Sequence, residues 1–118
     1  MNPNERRLRG WVIKILYRNR PDPIELAVLS EAMDGINQSM TRREIAITLD
    51  YLRQKKLLRV FFLAGDELSE KEQSVLMQRY AKSESDADVG GAVAAKLTEN
   101  GIDFQDGLCT VDGVSRVE

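Results

Sequence analysis

We expect an α+β domain that is mainly α, because two kinds of local pattern occur in one short chain. Four segments carry the residue signature of a helix N-terminus, and two short apolar segments have the composition of β-strands. The 118 residues are 42% hydrophobic and 31% charged, which is typical of a soluble globular protein. A chain of this length folds as one domain, 1–118, around one core.

The first two helices are predicted over 3–18 and over about 23–34. Each begins with Asn or Asp followed by proline, which combines a capping side chain with a proline at the first helical position. The second helix carries apolar residues on two sides, as a buried central helix does, and Gly35 can end it. The apolar stripe of the first helix, at helical spacing, consists of Leu8, Trp11, Val12, Ile15 and Leu16.

The third and fourth helices are predicted by capping boxes at 41–44 and 69–72. In a capping box the first side chain accepts a hydrogen bond from a free backbone N–H, and a glutamate three residues later accepts one from the cap residue. The helices are expected over about 42–56 and about 70–82. The inward stripe of the third helix consists of Ile45, Leu49 and Leu52.

Two segments that follow the third helix are predicted strands. Residues 57–63 are apolar and partly β-branched or aromatic, and residues 90–97 form a second, alanine-rich candidate. The acidic segment 66–88 between them holds the fourth helix. Thr98 can cap a short last helix, and 107–118 is expected to be a tail.

The residue inventory excludes several classes of chemistry. Histidine is absent and Cys109 is the one cysteine, so there is no His-dependent triad, no internal disulfide and no structural zinc site. We find no paired carboxylates suited to acid–base catalysis, and we expect no catalytic residues, no metal and no cofactor. No apolar run approaches the roughly 18 residues of a membrane span, and we recognise no secretory signal. A cytoplasmic, non-enzymatic protein without membrane association is expected.

Charge is divided unevenly along the chain, although the net charge is only −2. Residues 1–62 contain twelve Lys/Arg and seven Asp/Glu, a net charge of +5, whereas residues 63–118 contain five and twelve, a net charge of −7. This split predicts one region that attracts anions and another that repels them.

The predicted order of elements resembles that of winged-helix domains. The run Leu52-Arg53-Gln54-Lys55-Lys56-Leu57-Leu58 resembles the junction between the recognition helix and the wing in this superfamily. Lys96-Leu97-Thr98-Glu99-Asn100-Gly101 resembles the exit from its last strand. The resemblance implies that the second and third helices form a helix-turn-helix and that the two strands form a two-stranded wing. Here the wing would contain an inserted helix.

Further segments resemble a family of small ArsR-like proteins of Mu-like bacteriophages. These segments are 29–33, 39–45, 97–107 and 111–114, and the resemblance covers most of the chain except 66–88. Metal-sensing ArsR-type repressors need clustered Cys or His ligands, which this chain lacks, so a soft-metal sensor is not expected.

The resemblance to winged-helix domains implies a set of DNA-contacting residues around the third helix. Such a helix enters the major groove, and phosphate contacts surround it. The candidate set is Ser39, Thr41, Arg42, Arg43, Gln54, Lys55, Lys56 and Arg59. Arg43 is the best candidate for a guanine edge. The first two residues are candidates for phosphate contacts at the helix N-terminus, and the last three at the base of the wing.

Other interpretations of these residues remain open. The arginines also fit a solvated helix surface, and Asp50 on the same face as Arg43 would repel phosphate. The inserted segment 66–88 carries seven acidic residues. Its helix has an apolar stripe that either folds back on its own domain or packs against a second copy or a partner. That stripe consists of Val75, Leu76, Met77 and Tyr80.

Two functions are therefore retained. The first is a winged-helix protein that binds double-stranded DNA, a phage or prophage transcriptional regulator acting as a homodimer in the bacterial cytoplasm. The alternative is a winged-helix adaptor that binds another phage protein during assembly or DNA packaging. Arg43 matters for the first function, and Leu76, Met77 and Tyr80 matter for the second.

Overall fold

The computed structural model of the protein describes residues 3–62, 68–83, 85, 89 and 93–118. This part of the chain is α+β and mainly helical, as expected. The helices are α1 (Pro3–Arg18), α2 (Leu26–Gly35), α3 (Arg42–Gln54), α4 (Glu70–Ala81) and α5 (Glu99–Gln105). The strands are β1 (Ile24–Glu25), β2 (Leu58–Phe62) and β3 (Val93–Leu97). Residue 63, residues 90–92 and both ends of the predicted inserted segment lie outside the described residues.

Both predicted capping boxes are confirmed. The Thr41 hydroxyl accepts from the Glu44 N–H at 3.1 Å, and the Glu44 carboxylate accepts from the Thr41 N–H at 3.0 Å. Ser69 and Glu72 make the same reciprocal pair at the start of α4, at 3.2 and 3.1 Å. The hydrogen bonds from Ser69 lower the pKa of the Glu72 carboxyl. Thr98 also caps α5 as predicted, because its hydroxyl accepts from the Gly101 N–H at 3.3 Å.

The prediction that the second helix begins near Pro23 is wrong. Ile24–Glu25 is the short strand β1, which pairs with β3, and α2 begins only at Leu26. The residue before α2, Glu25, makes no side-chain capping bond. Ile24 is 8% exposed. The Asp-Pro signal for a helix start is therefore overridden. The Ile24 side chain is buried, and its backbone pairs with a strand about 70 residues further along the chain.

The sheet is antiparallel and three-stranded, in the order β1-β3-β2. The two-stranded arrangement that the sequence predicts therefore gains β1 on the far side of β3. Val60 lies opposite Ala95, and Arg59 lies opposite Lys96. The first pair is buried in the core, whereas Arg59 is exposed and Lys96 is half-buried.

The junction between α3 and β2 is a tight turn. α3 ends at Gln54, two residues earlier than predicted, and Lys56 has a positive φ of 66°. Leu57 is not part of the strand; its carbonyl oxygen accepts from the Thr98 N–H at 3.1 Å. The Thr98 hydroxyl donates to the Lys56 carbonyl oxygen at 2.6 Å. Two hydrogen bonds from Thr98, the residue that follows β3, thus hold the turn in place.

The core is formed by the inward faces of the helices and one face of the sheet. Ile13 of α1 is fully buried, although the predicted stripe did not include it. The prediction that α2 is buried on more than one side is wrong, because Val28 is 45% exposed. The buried side of α2 consists of Leu26, Leu29 and Met33.

Helix α4, which lies between β2 and β3 in the chain, packs against α3 and β2. Met77 has no exposed surface and Leu76 is 8% exposed. Gln73 is also buried; its side-chain oxygen accepts from the Val60 N–H at 3.0 Å, and its amide nitrogen donates to the Leu68 carbonyl oxygen at 3.0 Å. Of the alternatives for the apolar stripe, folding back therefore holds for Leu76 and Met77.

The C-terminal segment 107–118 lies against α1. The Ser115 N–H donates to the carbonyl oxygen of Arg6 at 3.1 Å, and Val114 is 8% exposed. A Cβ atom on Gly10 would lie 1.7 Å from the carbonyl oxygen of Ser115. Only glycine therefore permits this close approach, and the predicted tail is a packed part of the domain.

Candidate nucleic-acid interface

The outward face of α3 is the centre of the predicted interface. Its buried positions include Ile45, Leu49 and Leu52, as the sequence predicts. On the opposite side Ile47 is 51% exposed, and Arg43, Asp50 and Tyr51 are half-buried. This face therefore combines one arginine with an exposed aliphatic side chain, a carboxylate and an aromatic ring.

The two arginines of the first turn differ in their surroundings. The Arg42 guanidinium donates to the carbonyl oxygen of Val89 at 3.5 Å, and the residue is half-buried. Arg42 therefore points toward the chain that precedes β3. Arg43, one position further round the helix, lies on the outward side near Ile47. The structure does not place the two arginines on one surface.

Asp50 is paired within its own helix. Its carboxylate accepts from the Arg53 guanidinium at 2.9 Å and from the Gln54 side-chain amide at 2.9 Å. Arg53 is 9% exposed, so this ion pair is partly shielded from water. The predicted repulsion of phosphate by Asp50 is therefore reduced, but Gln54 would have to leave the carboxylate to contact a base.

The two hydroxyl groups near the start of α3 both have partners. The Ser39 hydroxyl donates to the Asp34 carboxylate at 2.6 Å, so its proton is engaged. The Thr41 oxygen accepts from the Glu44 N–H, and its own O–H is left to donate. Of these two predicted phosphate ligands, Thr41 is the better one.

The three cations at the base of β2 also have different environments. Lys56 forms a 2.6 Å ion pair with Glu70 of α4 and lowers the pKa of that carboxyl. The Lys55 ammonium lies 5.4 Å from the centre of the Tyr51 ring, and Lys55 is exposed. Arg59 is exposed on β2. Lys56 is therefore less suited than Lys55 for contacting phosphate.

Tyr51 is an important residue that sequence reasoning missed. The Arg9 guanidinium lies 3.7 Å from the centre of its ring, and its hydroxyl donates to the Asp112 carbonyl oxygen at 3.1 Å. Arg9 also donates to the Gly113 carbonyl oxygen at 3.1 Å. Tyr51 thus connects α3 to α1 and to the C-terminal segment. Its outward position on α3 was the one signal available in the sequence.

The predicted partner-binding stripe of α4 is divided by the fold. Leu76 and Met77 are buried and Tyr80 is half-buried, so these three pack within the chain. Val75 is 51% exposed and faces outward. Together with Phe62, which is 39% exposed, it lines a groove of about 300 Å³ between β2 and α4.

The described ranges contain no group of three or more acidic or cysteine side chains placed to hold a metal ion. Cys109 is exposed. No helix among these residues combines the length and the hydropathy needed to cross a bilayer. Comparisons with known protein families, with curated proteins and with solved structures find no match.

Proposed function

We propose that the protein is a winged helix-turn-helix domain that binds double-stranded DNA through the outward face of α3. The order of elements supports this proposal: α2 and α3 are consecutive packed helices, and the antiparallel strands β2 and β3 follow them. This is the arrangement that the resemblance to winged-helix domains implies. A fold does not determine a function, so the argument depends on the surface of α3.

The observation that carries the proposal is the composition of that surface. Arg43 lies beside the exposed side chain of Ile47, and Lys55 lies at the far end of the helix. Arginine reads guanine edges in the major groove, and an aliphatic group can contact the methyl group of thymine. Lys55 supplies a phosphate contact. The basic half of the chain contains all three residues.

The position of α4 restricts how DNA approaches. Arg53 is buried and lines a pocket together with Glu70 and Gln73 of α4, so α4 lies against this flank of α3. Glu70 holds Lys56 on the same side. DNA would therefore approach α3 from the opposite side, where Arg43 and Tyr51 lie.

The test is fluorescence anisotropy with a labelled duplex of about 20 base pairs, the span of two half-sites, at two salt concentrations. Arg43→Gln and Lys55→Gln should each weaken binding about three- to tenfold and reduce the salt slope by about 0.9. Arg18 is an exposed cation at the C-terminal end of α1. Arg18→Gln is the matched control and should leave both the affinity and the salt slope unchanged. Absence of duplex binding at low salt, or equal losses in all three variants, would overturn the proposal.

We further propose that the protein regulates transcription in a phage or prophage as a homodimer. The segments that resemble small ArsR-like proteins of Mu-like phages support this proposal, because ArsR-type proteins are regulators. Light scattering at two protein concentrations tests the dimer. A monomeric mass at the concentration that saturates the duplex would contradict it.

A second candidate function is that of an adaptor for another phage protein. The groove between Phe62 and Val75 favours it, because exposed apolar side chains that line a concave surface are typical of protein contacts. Val75→Asp is the cleaner probe, since Leu76 is buried and its substitution would disturb the fold. A defined phage partner that is retained by Arg43→Gln and lost by Val75→Asp would favour the adaptor; the reverse pattern would exclude it.

A further inference from the structure

A cavity of about 520 Å³ lies at the C-terminal end of α1, and no residue of α3 lines it. The end of α1, the turn that follows it, the end of β3 and α5 line it. Its apolar lining includes Leu16, Leu97 and Ile102. Its charged lining consists of Lys14, Arg18, Arg20, Lys96 and Asp22. The volume lies within the range of small-molecule sites, roughly 300–1,000 Å³.

Most of the cations around this cavity have no counter-ion. In the part of the chain that the structure describes, the side chains of Lys14, Arg18 and Lys96 take part in no ion pair and no hydrogen bond. Arg20 differs, because it stacks on the Tyr17 ring at 3.7 Å and donates to the Tyr17 carbonyl oxygen at 3.0 Å. Three cations therefore face the cavity without an acidic partner.

The surroundings of Tyr17, which also lines the cavity, add to this excess of positive charge. The Tyr17 hydroxyl donates to the Asp106 carboxylate, which raises the pKa of Tyr17. Asp106 is thus engaged by Tyr17, and Asp22 is the one carboxylate among the residues that line the cavity. Like charges beside a low-dielectric surface repel one another and attract an anion more strongly than they would in open water.

We propose that this cavity binds a small organic anion with an apolar body. Its anionic group would contact the cations Lys14, Arg18 and Lys96, and its apolar body would lie on Leu97 and Ile102. Both parts are needed, because a purely ionic ligand would leave the apolar lining in water. The site is independent of the proposed DNA surface, since no residue of α3 lines it.

The test is a ligand titration followed by amide chemical shifts. The probes are benzoate, benzamide and acetate: an anion with an apolar body, its uncharged analogue of the same shape, and an anion without the apolar body. Benzoate should bind with a dissociation constant on the order of 1 mM and shift the amides of residues 14–20, 22, 96, 97 and 102. Benzamide and acetate should each bind at least about tenfold more weakly.

Two substitutions remove charge while keeping the side chains long and polar. Lys14→Gln combined with Lys96→Gln should weaken benzoate binding about tenfold. Both residues are half-buried, and melting temperatures would verify that the fold is intact. Lys55→Gln, a cation on the α3 side, is the matched control and should bind benzoate as the unmodified protein does.

Three results would overturn the proposal. Equal binding of benzamide would show that the cations are not used, and equal binding of acetate would show that the apolar lining is not used. Shifts of the same amides on raising the protein concentration without ligand would assign the cavity to contact between two copies. The two experiments use different ligands, and Lys55→Gln, which should weaken duplex binding, should leave benzoate binding unchanged, so failure of one proposal leaves the other unaffected.

Discussion

Replacing Gly10 by alanine should detach the C-terminal segment from α1. The new Cβ would lie 1.7 Å from the Ser115 carbonyl oxygen and 3.4 Å from a methyl group of Val117. The nearer atom belongs to the backbone, so rotation of a side chain cannot relieve the clash. The segment must move away from the helix, and its contacts are lost with it.

The expected cost follows from those contacts. Exposing Val114, now 8% exposed, loses about 1.5–2 kcal/mol of apolar burial. The hydrogen bonds from Ser115 to Arg6 and from Arg9 to Gly113 contribute about 1 kcal/mol each. Alanine returns about 1 kcal/mol, because it is a better helix former than glycine. The net loss in the free energy of unfolding is about 2.5–3 kcal/mol.

Urea unfolding measures this loss, and Gly35→Ala is the matched control. Gly35 is also helical, but a Cβ there would have no atom within 4 Å, so alanine should be neutral or stabilising by up to about 1 kcal/mol. Hydrogen exchange adds a local measure: the Ser115 amide should lose protection in Gly10→Ala. A Gly10→Ala protein at least as stable as the unmodified one, with Ser115 still protected, would refute the packing argument.

Three further predictions concern α3 and α4. Met77→Ala should destabilise the domain by about 2–5 kcal/mol in urea unfolding, against less than about 0.5 kcal/mol for Val75→Ala; similar losses would contradict the packing of α4 on its own chain. Thr41→Ala should cost about 1 kcal/mol by thermal unfolding, and no change would mean that the capping box contributes nothing. The pKa values of Glu70 and Glu72 lie below the ordinary 4.5, so their stabilisation is present above pH 4.5 and is lost as the pH falls through the folded-state pKa values. In an acid titration by NMR, Glu70→Gln should therefore weaken the pH dependence of the α4 amides; an unaltered profile would exclude the ion pair as its source.

Local signals in the sequence were sufficient where the interaction is itself local. Both capping boxes are formed by residues three apart, so the sequence specifies both partners. The pair of Asp50 and Gln54 belongs to the same category. Residues four apart on a helix are neighbours, so this spacing would have indicated that the Gln54 side-chain amide already has a hydrogen-bond partner.

Contacts between residues that are distant in the sequence could not be predicted from local patterns. β1 forms because Ile24 pairs with Ala95, and no local feature of the sequence indicates that partner. The contact of Arg9 with Tyr51 has the same origin, since it joins two helices. An apolar stripe likewise shows that a helix needs a partner but not which one. For these reasons the docking of α4 and of residues 107–118 emerged only from the structure.

The hydrogen bond from Val60 to Gln73 also occupies part of an edge of the sheet. β2 is one of the two edge strands of the sheet, and its apolar sequence would otherwise offer an open backbone to strands of other molecules. The side chain of Gln73 takes up the amide at the middle of that edge. An engineered version with 66–88 replaced by a short turn would uncover this template, so its solubility would fall even if the remaining core stayed folded.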